Sequence, residues 1–277
     1  MSHKLLRLSS QVFNTPHLIT AETLAPITDY FVSRNIGDVK MMEDDDEYVY
    51  SDPDEVEVIN GTAFIEVEGA LTYKPQQGMC TPAGCSYTSL IGKSQYALAM
   101  GAKNLVFTYA SGGGQALGCF LSANEVRQMA DAAGAKIYAY IEEGAHSAAY
   151  AWACTADEVI ISPDASAGSI GCIIALYDQS KRMSDMGVKQ VIISSTPGKS
   201  PFAEDGSFSQ KFLDKLQEDV TRLGNQFAEH VSKYTGLSVE TILALDAQSF
   251  HAEKALEIGL VNKIQTPREF LNYLAGV

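Results

Sequence analysis

The chain has 277 residues, 46% of them hydrophobic, and sets 20 basic against 34 acidic side chains for a formal charge of −14. That is enough apolar material for one sizeable core. The negative balance argues against nucleic-acid or anionic-membrane binding as the main activity, because both require a cationic footprint.

Taken in chain order, the first element is a helix expected over Ala21 to Arg34, repeating Leu24, Ile27 and Phe31 behind a Thr20 cap signal. Nine acidic residues follow between Glu43 and Glu57, read as a solvated linker or, alternatively, a docking surface or pro-segment. Val56 to Ile59 and Ala63 to Gly69 flank Asn60-Gly61 and predict a hairpin. The expected organisation is therefore a helical segment and acidic linker over 1–55 and a main domain over 56–277.

After a loop at 74–88, helix and strand signals alternate. Helices are expected over Tyr87 to Met100, Ala116 to Ala133, Ser147 to Thr155 and Asp178 to Met186. Strands are expected over Asn104 to Tyr109, Lys136 to Ile141, Glu158 to Ile161, Ile170 to Ile174 and Gln190 to Ser194. A long amphipathic helix from Phe208 to Tyr234 and shorter ones at Val239 to Leu245 and Ala252 to Ile258 close the chain. The alternation predicts an α/β fold with a largely parallel sheet built of βαβ units and helices at the C-terminal end.

No run approaches the roughly 18 apolar residues of a membrane span. The stretch from Met1 to Leu8 has no apolar segment of secretory-signal length. A soluble, cytoplasmic protein without membrane contact is expected. Five cysteines lack metal-type pairing and fit reduced thiols. Cys80 and Cys85 have no second ligand pair for zinc, so free thiols or a loop disulfide are expected there. No cofactor or metal is called for.

Reactive groups of an α/β fold lie at strand–loop–helix junctions. Ala110-Ser111-Gly112-Gly113-Gly114 follows a buried strand, and its glycines let backbone N–H groups turn outward. It reads as an oxyanion hole or anion nest, or as a plain flexible turn; with no Gly-Lys-Ser/Thr it is not a phosphate loop. Ser147, in Gly144-Ala145-His146-Ser147-Ala148-Ala149, is exposed at a helix start in this reading, either as a nucleophile or as a helix cap. Ala167-Gly168-Ser169-Ile170-Gly171 is a further turn between strands, and Lys199 lies in a Gly/Pro loop, where a lysine is ordinarily a solvated charge.

A serine nucleophile needs a base. Of the five histidines, His146 is adjacent to Ser147 and cannot face it from a helix. His3 and His17 fall in the N-terminal segment, and His230 and His251 in the C-terminal helices. By elimination Lys199 is the better candidate, once desolvation lowers its pKa.

This order of motifs, ending in Phe250-His251-Ala252-Glu253-Lys254-Ala255-Leu256-Glu257-Ile258-Gly259-Leu260-Val261, resembles the signal peptide peptidase A family over about residues 56–265. The 52-residue interval from Ser147 to Lys199 fits that family. The phage head-maturation (capsid assembly) branch is the most similar, through Ser232 to Ser238 and Phe13 to Ile19. The resemblance implies a serine–lysine protease with a ClpP/crotonase-like fold. Ser147 would be the nucleophile and Lys199 the general base. Gly113 and Ala148 N–H groups would form the oxyanion hole, and Ser169 would position the lysine. It also implies a protein or peptide substrate, such as phage scaffold or capsid proteins, a homo-oligomer, and host cytoplasm or procapsid as the location.

Two departures stand out: Gly112 replaces the family's usual proline, and the loop after Lys199 is short. Two alternatives remain open, a crotonase-like acyl-CoA enzyme and a catalytically weak, scaffold-interacting relative.

Overall fold

The computed structural model describes residues 12, 13, 15–35, 56–75, 85–189 and 191–276. Most of the acidic run and Cys80 lie outside them. The strands are β1 (His17–Ile19), β2 (Val58–Ile59), β3 (Thr62–Leu71), β4 (Asn104–Gln115), β5 (Lys136–His146), β6 (Glu158–Ile161), β7 (Ser166–Gly168), β8 (Ser249–His251) and β9 (Lys263–Ile264). The helices are α1 (Ala21–Asn35), α2 (Tyr87–Ala99), α3 (Cys119–Ala133), α4 (Ala148–Ala153), α5 (Ser180–Asp185), α6 (Gln210–Thr235), α7 (Val239–Leu243), α8 (Ala252–Ile258) and α9 (Pro267–Leu274).

The sheet runs β2-β3-β4-β5-β6-β9, parallel from β3 to β9. The α/β class and the largely parallel sheet expected from the alternating pattern are observed. Asn60 and Gly61, both at positive φ, form the two-residue turn that makes β2 antiparallel to β3. Strand β3 alternates, with Ala63, Ile65 and Val67 buried and Glu66 and Glu68 outward. In β4 the consecutive Leu105, Val106 and Phe107 are all buried, as a strand covered on both faces requires. The main core lies on one face with α2, α3 and α4, where Tyr87 stacks on Trp152. A smaller cluster on the other face is closed by α9, whose Phe270 stacks on Tyr140 at 4.5 Å.

Three expectations are corrected. Residues 170–174 form no strand beyond an isolated bridge at Ile173, and residues 191–194 are irregular, with Val191 and Ile193 68% and 96% exposed. An apolar, β-branched run becomes a strand only where a partner satisfies its backbone along its length; among the described residues 170–174 have the single bridge from Ile173 to His17, and 191–194 pair with no strand. Conversely, β4 does not stop at Tyr109. It runs through the glycine stretch to Gln115, and α3 begins only at Cys119. The elements β1, β7, β8, β9 and α9 are additional, β7 taking up Ala167 and Gly168 of the expected turn; α9 carries a capping box between Thr266 and Glu269. No described helix is long and apolar enough to cross a membrane.

One ion-pair cluster ties α3 to the β5–β6 layer. Arg127 donates to Asp157 at 2.7 Å and to Asp131 at 2.5 Å, and the same Asp157 oxygen accepts the Ile137 N–H at 2.7 Å. Asp157→Ala leaves the mostly buried guanidinium and the strand N–H short of an acceptor. Its side chain is 41% exposed, which moderates the cost. Urea unfolding is expected to show a loss of about 1–3 kcal/mol.

Candidate active site

Beyond the pair Ser111–Ala145, the carboxyl ends of β4 and β5 separate. On the far side of β4, Ala70 and Leu71 of β3 still pair with Gly113 and Gly114. The end of β5 pairs with β7. Ser147 stands in this split, at the step from β5 to α4, with φ 54° and ψ −118°. That conformation costs a residue with a Cβ about 1–3 kcal/mol. It is the strained strand-to-helix turn that holds a side chain out at the top of an α/β sheet, reached here without a Gly-x-Ser-x-Gly pattern. The backbone is fastened on both sides: Ser147 N–H donates to Gly168 O at 2.8 Å, and Ser147 O accepts from Ala151 N–H at 2.9 Å.

The side chain makes no capping bond to α4. Its Oγ instead donates to Gly171 O at 3.4 Å. Capping therefore does not explain the serine. The expected exposure is corrected: Ser147 is fully buried.

Gly113 is pressed against it. A Cβ placed on Gly113 would lie 3.0 Å from Ser147 Cβ and 2.2 Å from Leu18 O, and its φ of 101° is one that only glycine adopts cheaply. Its N–H donates to Ser111 Oγ at 3.2 Å, and Ser111 in turn donates to Gly69 O at 2.6 Å. Ala148, the first residue of α4, is fully buried, and its N–H has no acceptor within the helix. Two backbone donors thus flank Ser147. Ser169 follows Gly168 at φ 55°, its N–H bonded to Gln248 O.

Lys199 is not brought to this cluster. It ends a short 3₁₀ turn, Pro197–Lys199, exposed to solvent. Among the described residues its ammonium has no hydrogen-bond or ion-pair partner, while its backbone N–H donates to Thr196 O. No described histidine bonds to Ser147 either. His146 Nε2 lies 3.0 Å from Ser166 Oγ, and burial lowers its pKa. His230 Nε2 donates to Ala151 O at 2.8 Å between Phe120 and Tyr234, and burial lowers its pKa too. His17 Nε2 donates to Val12 O. The buried Cys119 thiol, pushed up to about 12 by desolvation, donates to Ala148 O and is no competing nucleophile.

Three contributors were not foreseen. Ser111 locks the glycine strand. Tyr87 holds its end by donating to Gln115 O at 2.6 Å. Strand β1 pairs antiparallel with Gly113 to Gln115. The first could have been suspected from its place just before the glycines; β1, three residues long, carries no periodic signal.

A serine on a strained strand-to-helix turn of an α/β sheet is a geometry found in hydrolases. The model of Peptidase family S49 matches residues 129–276, and the chain belongs to that family. It is 25% identical over 220 residues to the head-tail preconnector protein GP5 of Enterobacteria phage P21, covering 79% of this chain and 43% of that protein. It is 24% identical over 209 residues to the capsid assembly protease C of Escherichia phage lambda, covering 75% and 47%. The chain thus spans less than half the length of these relatives. Among solved structures, a ClpP1 point mutant from Listeria monocytogenes is similar at 12% identity and TM-score 0.46, over 74% of this chain and 94% of that one. A peptidase from Plasmodium falciparum gives 12%, 0.44, 73% and 94%.

Proposed function

We propose that the protein is a serine endopeptidase that uses Ser147 as nucleophile and Lys199 as general base, and cleaves scaffold or capsid proteins during phage head maturation. The observation that carries this reading is the elbow: a fully buried serine at φ 54°, free of any capping role, against Gly113. Membership of a peptidase family and the likeness to a phage capsid assembly protease support the substrate class.

In this mechanism neutral Lys199 takes the Ser147 proton as Oγ attacks a peptide carbonyl. The Gly113 and Ala148 N–H groups stabilise the oxyanion, which requires Gly113 to exchange its bond to Ser111 for one to substrate. The tetrahedral adduct collapses, the C–N bond breaks, and the amine leaves with the proton held by Lys199. Water, deprotonated by the same lysine, then releases the acid and restores Ser147. Ser169 would hold the ammonium form.

Because Lys199 is solvent-exposed within one copy, the dyad forms either when its loop moves or when a neighbouring copy supplies it. Casein or peptide hydrolysis tests both. Lys199→Ala is expected to abolish turnover. Mixing Ser147→Ala with Lys199→Ala protein restores activity only if serine and lysine come from different copies. Undiminished turnover by Lys199→Ala would sink the dyad.

A further inference from the structure

We propose that residues 16–20 are a built-in pseudo-substrate: strand β1 occupies the place a substrate strand must take beside Ser147, and the chain is held off until β1 is displaced. The inference rests on the serine-peptidase reading above and concerns the regulation of that site.

The crevice beyond the carboxyl ends of diverging strands is where an open α/β sheet receives ligand, and an extended peptide binds most readily by adding a strand to a free edge. In this crevice β1 lies antiparallel to the glycine strand, with Leu18 opposite Gly114 and Ile19 opposite Gly113. On its other edge, His17 exchanges both backbone bonds with Ile173, at 2.8 and 2.9 Å. Ile173 follows closely on Gly171, whose carbonyl takes the Ser147 hydroxyl. The strap is therefore held on both edges, and between them they enclose the nucleophile. Leu18 is fully buried and Ile19 nearly so, their side chains filling apolar space as substrate side chains would.

The bound strand is not presented for cleavage. The Thr20 N–H donates to Gly112 O, so Gly112 faces the strap, and by the alternation of an antiparallel ladder Gly113 faces away from it. The Gly113 N–H is engaged by Ser111 Oγ, so no strap carbonyl occupies that donor.

The second, independent observation is the residue at 112. A Cβ there would fall 2.0 Å from Thr23 Oγ1 and 3.2 Å from Thr20 Oγ1, the two hydroxyls bonded to each other at the start of α1. The absence of a Cβ at Gly112 is what allows the strap and its helix to close on the glycine strand.

The test uses the full chain. Ser147 reactivity toward a small fluorophosphonate and hydrolysis of a peptide substrate are compared in wild type, Leu18→Asp and Thr20→Pro. The first variant places a charge in the buried strap position. The second removes the Thr20 N–H bond to Gly112 together with the Thr20 hydroxyl's bonds to Thr23 at the start of α1, and serves if Leu18→Asp loses its cooperative melting. Freeing a site that is open in a tenth of molecules or fewer raises kcat/KM and labelling rate at least ~10-fold. A synthetic peptide of residues 15–21 is expected to inhibit the opened variant competitively, raising KM with kcat unchanged. Equal labelling of wild type and a folded strap variant, or a peptide that does not compete, overturns the proposal while leaving the peptidase reading intact. No labelling or hydrolysis in any of the proteins overturns both.

Discussion

Ser147→Ala is expected to reduce peptide hydrolysis by about 10⁴-fold or more, since removing a nucleophile leaves only binding and oxyanion stabilisation. Stability should hardly change, because the hydroxyl caps nothing and gives one long bond, at 3.4 Å, to Gly171 O. Ser147→Gly sharpens the test. It is equally inactive, yet relieves a φ of 54° that a Cβ makes costly, so it should unfold later than Ser147→Ala by about 1 kcal/mol. Urea titration of the pair, alongside kcat/KM, reads both effects. A serine kept for structure would show the opposite pattern, with the glycine variant the less stable and both variants active.

Gly113→Ala is expected to damage both stability and turnover with a single added methyl group. Positive φ alone costs about 1–3 kcal/mol. The added carbon also meets Leu18 O at 2.2 Å and Ser147 Cβ at 3.0 Å, so either the strap or the elbow must shift. Displacing the Gly113 donor should lower turnover by about 10²–10³-fold. Gly101→Ala is the matched control: φ is also positive, at 88°, but nothing lies within 4 Å. The difference between the two variants isolates the collision from the backbone strain. Equal losses in stability and activity would mean that Gly113 has no special place beside Ser147.

The elements legible in the sequence are those whose signal is local. The Asn60-Gly61 turn, the buried runs of β4 and β5 and the long amphipathic α6 all lie within a residue or a few of where periodicity puts them. What could not be read depends on distant partners. The glycine stretch reads as a turn because glycine has poor strand propensity; it is a strand because β3 and β1 pair with it on opposite sides. The run at 190–194 reads as a strand by composition and, for residues 191–194, is not one, for want of a neighbour. At the site, Ser147, Gly113 and Ala148 converge, whereas Lys199 remains apart, because sequence order says nothing about which loop reaches the crevice.

The position of β1 has a consequence for the order of folding. Its two partner edges, at Gln115 and Ile173, lie 98 and 156 residues further along the chain from His17. β1 is therefore made long before either edge exists, and closing such long loops is entropically and kinetically late. The strand synthesised before its partners is the one that docks after them. On that order of events, each newly made copy would pass through an interval in which the serine crevice has formed and nothing yet fills it.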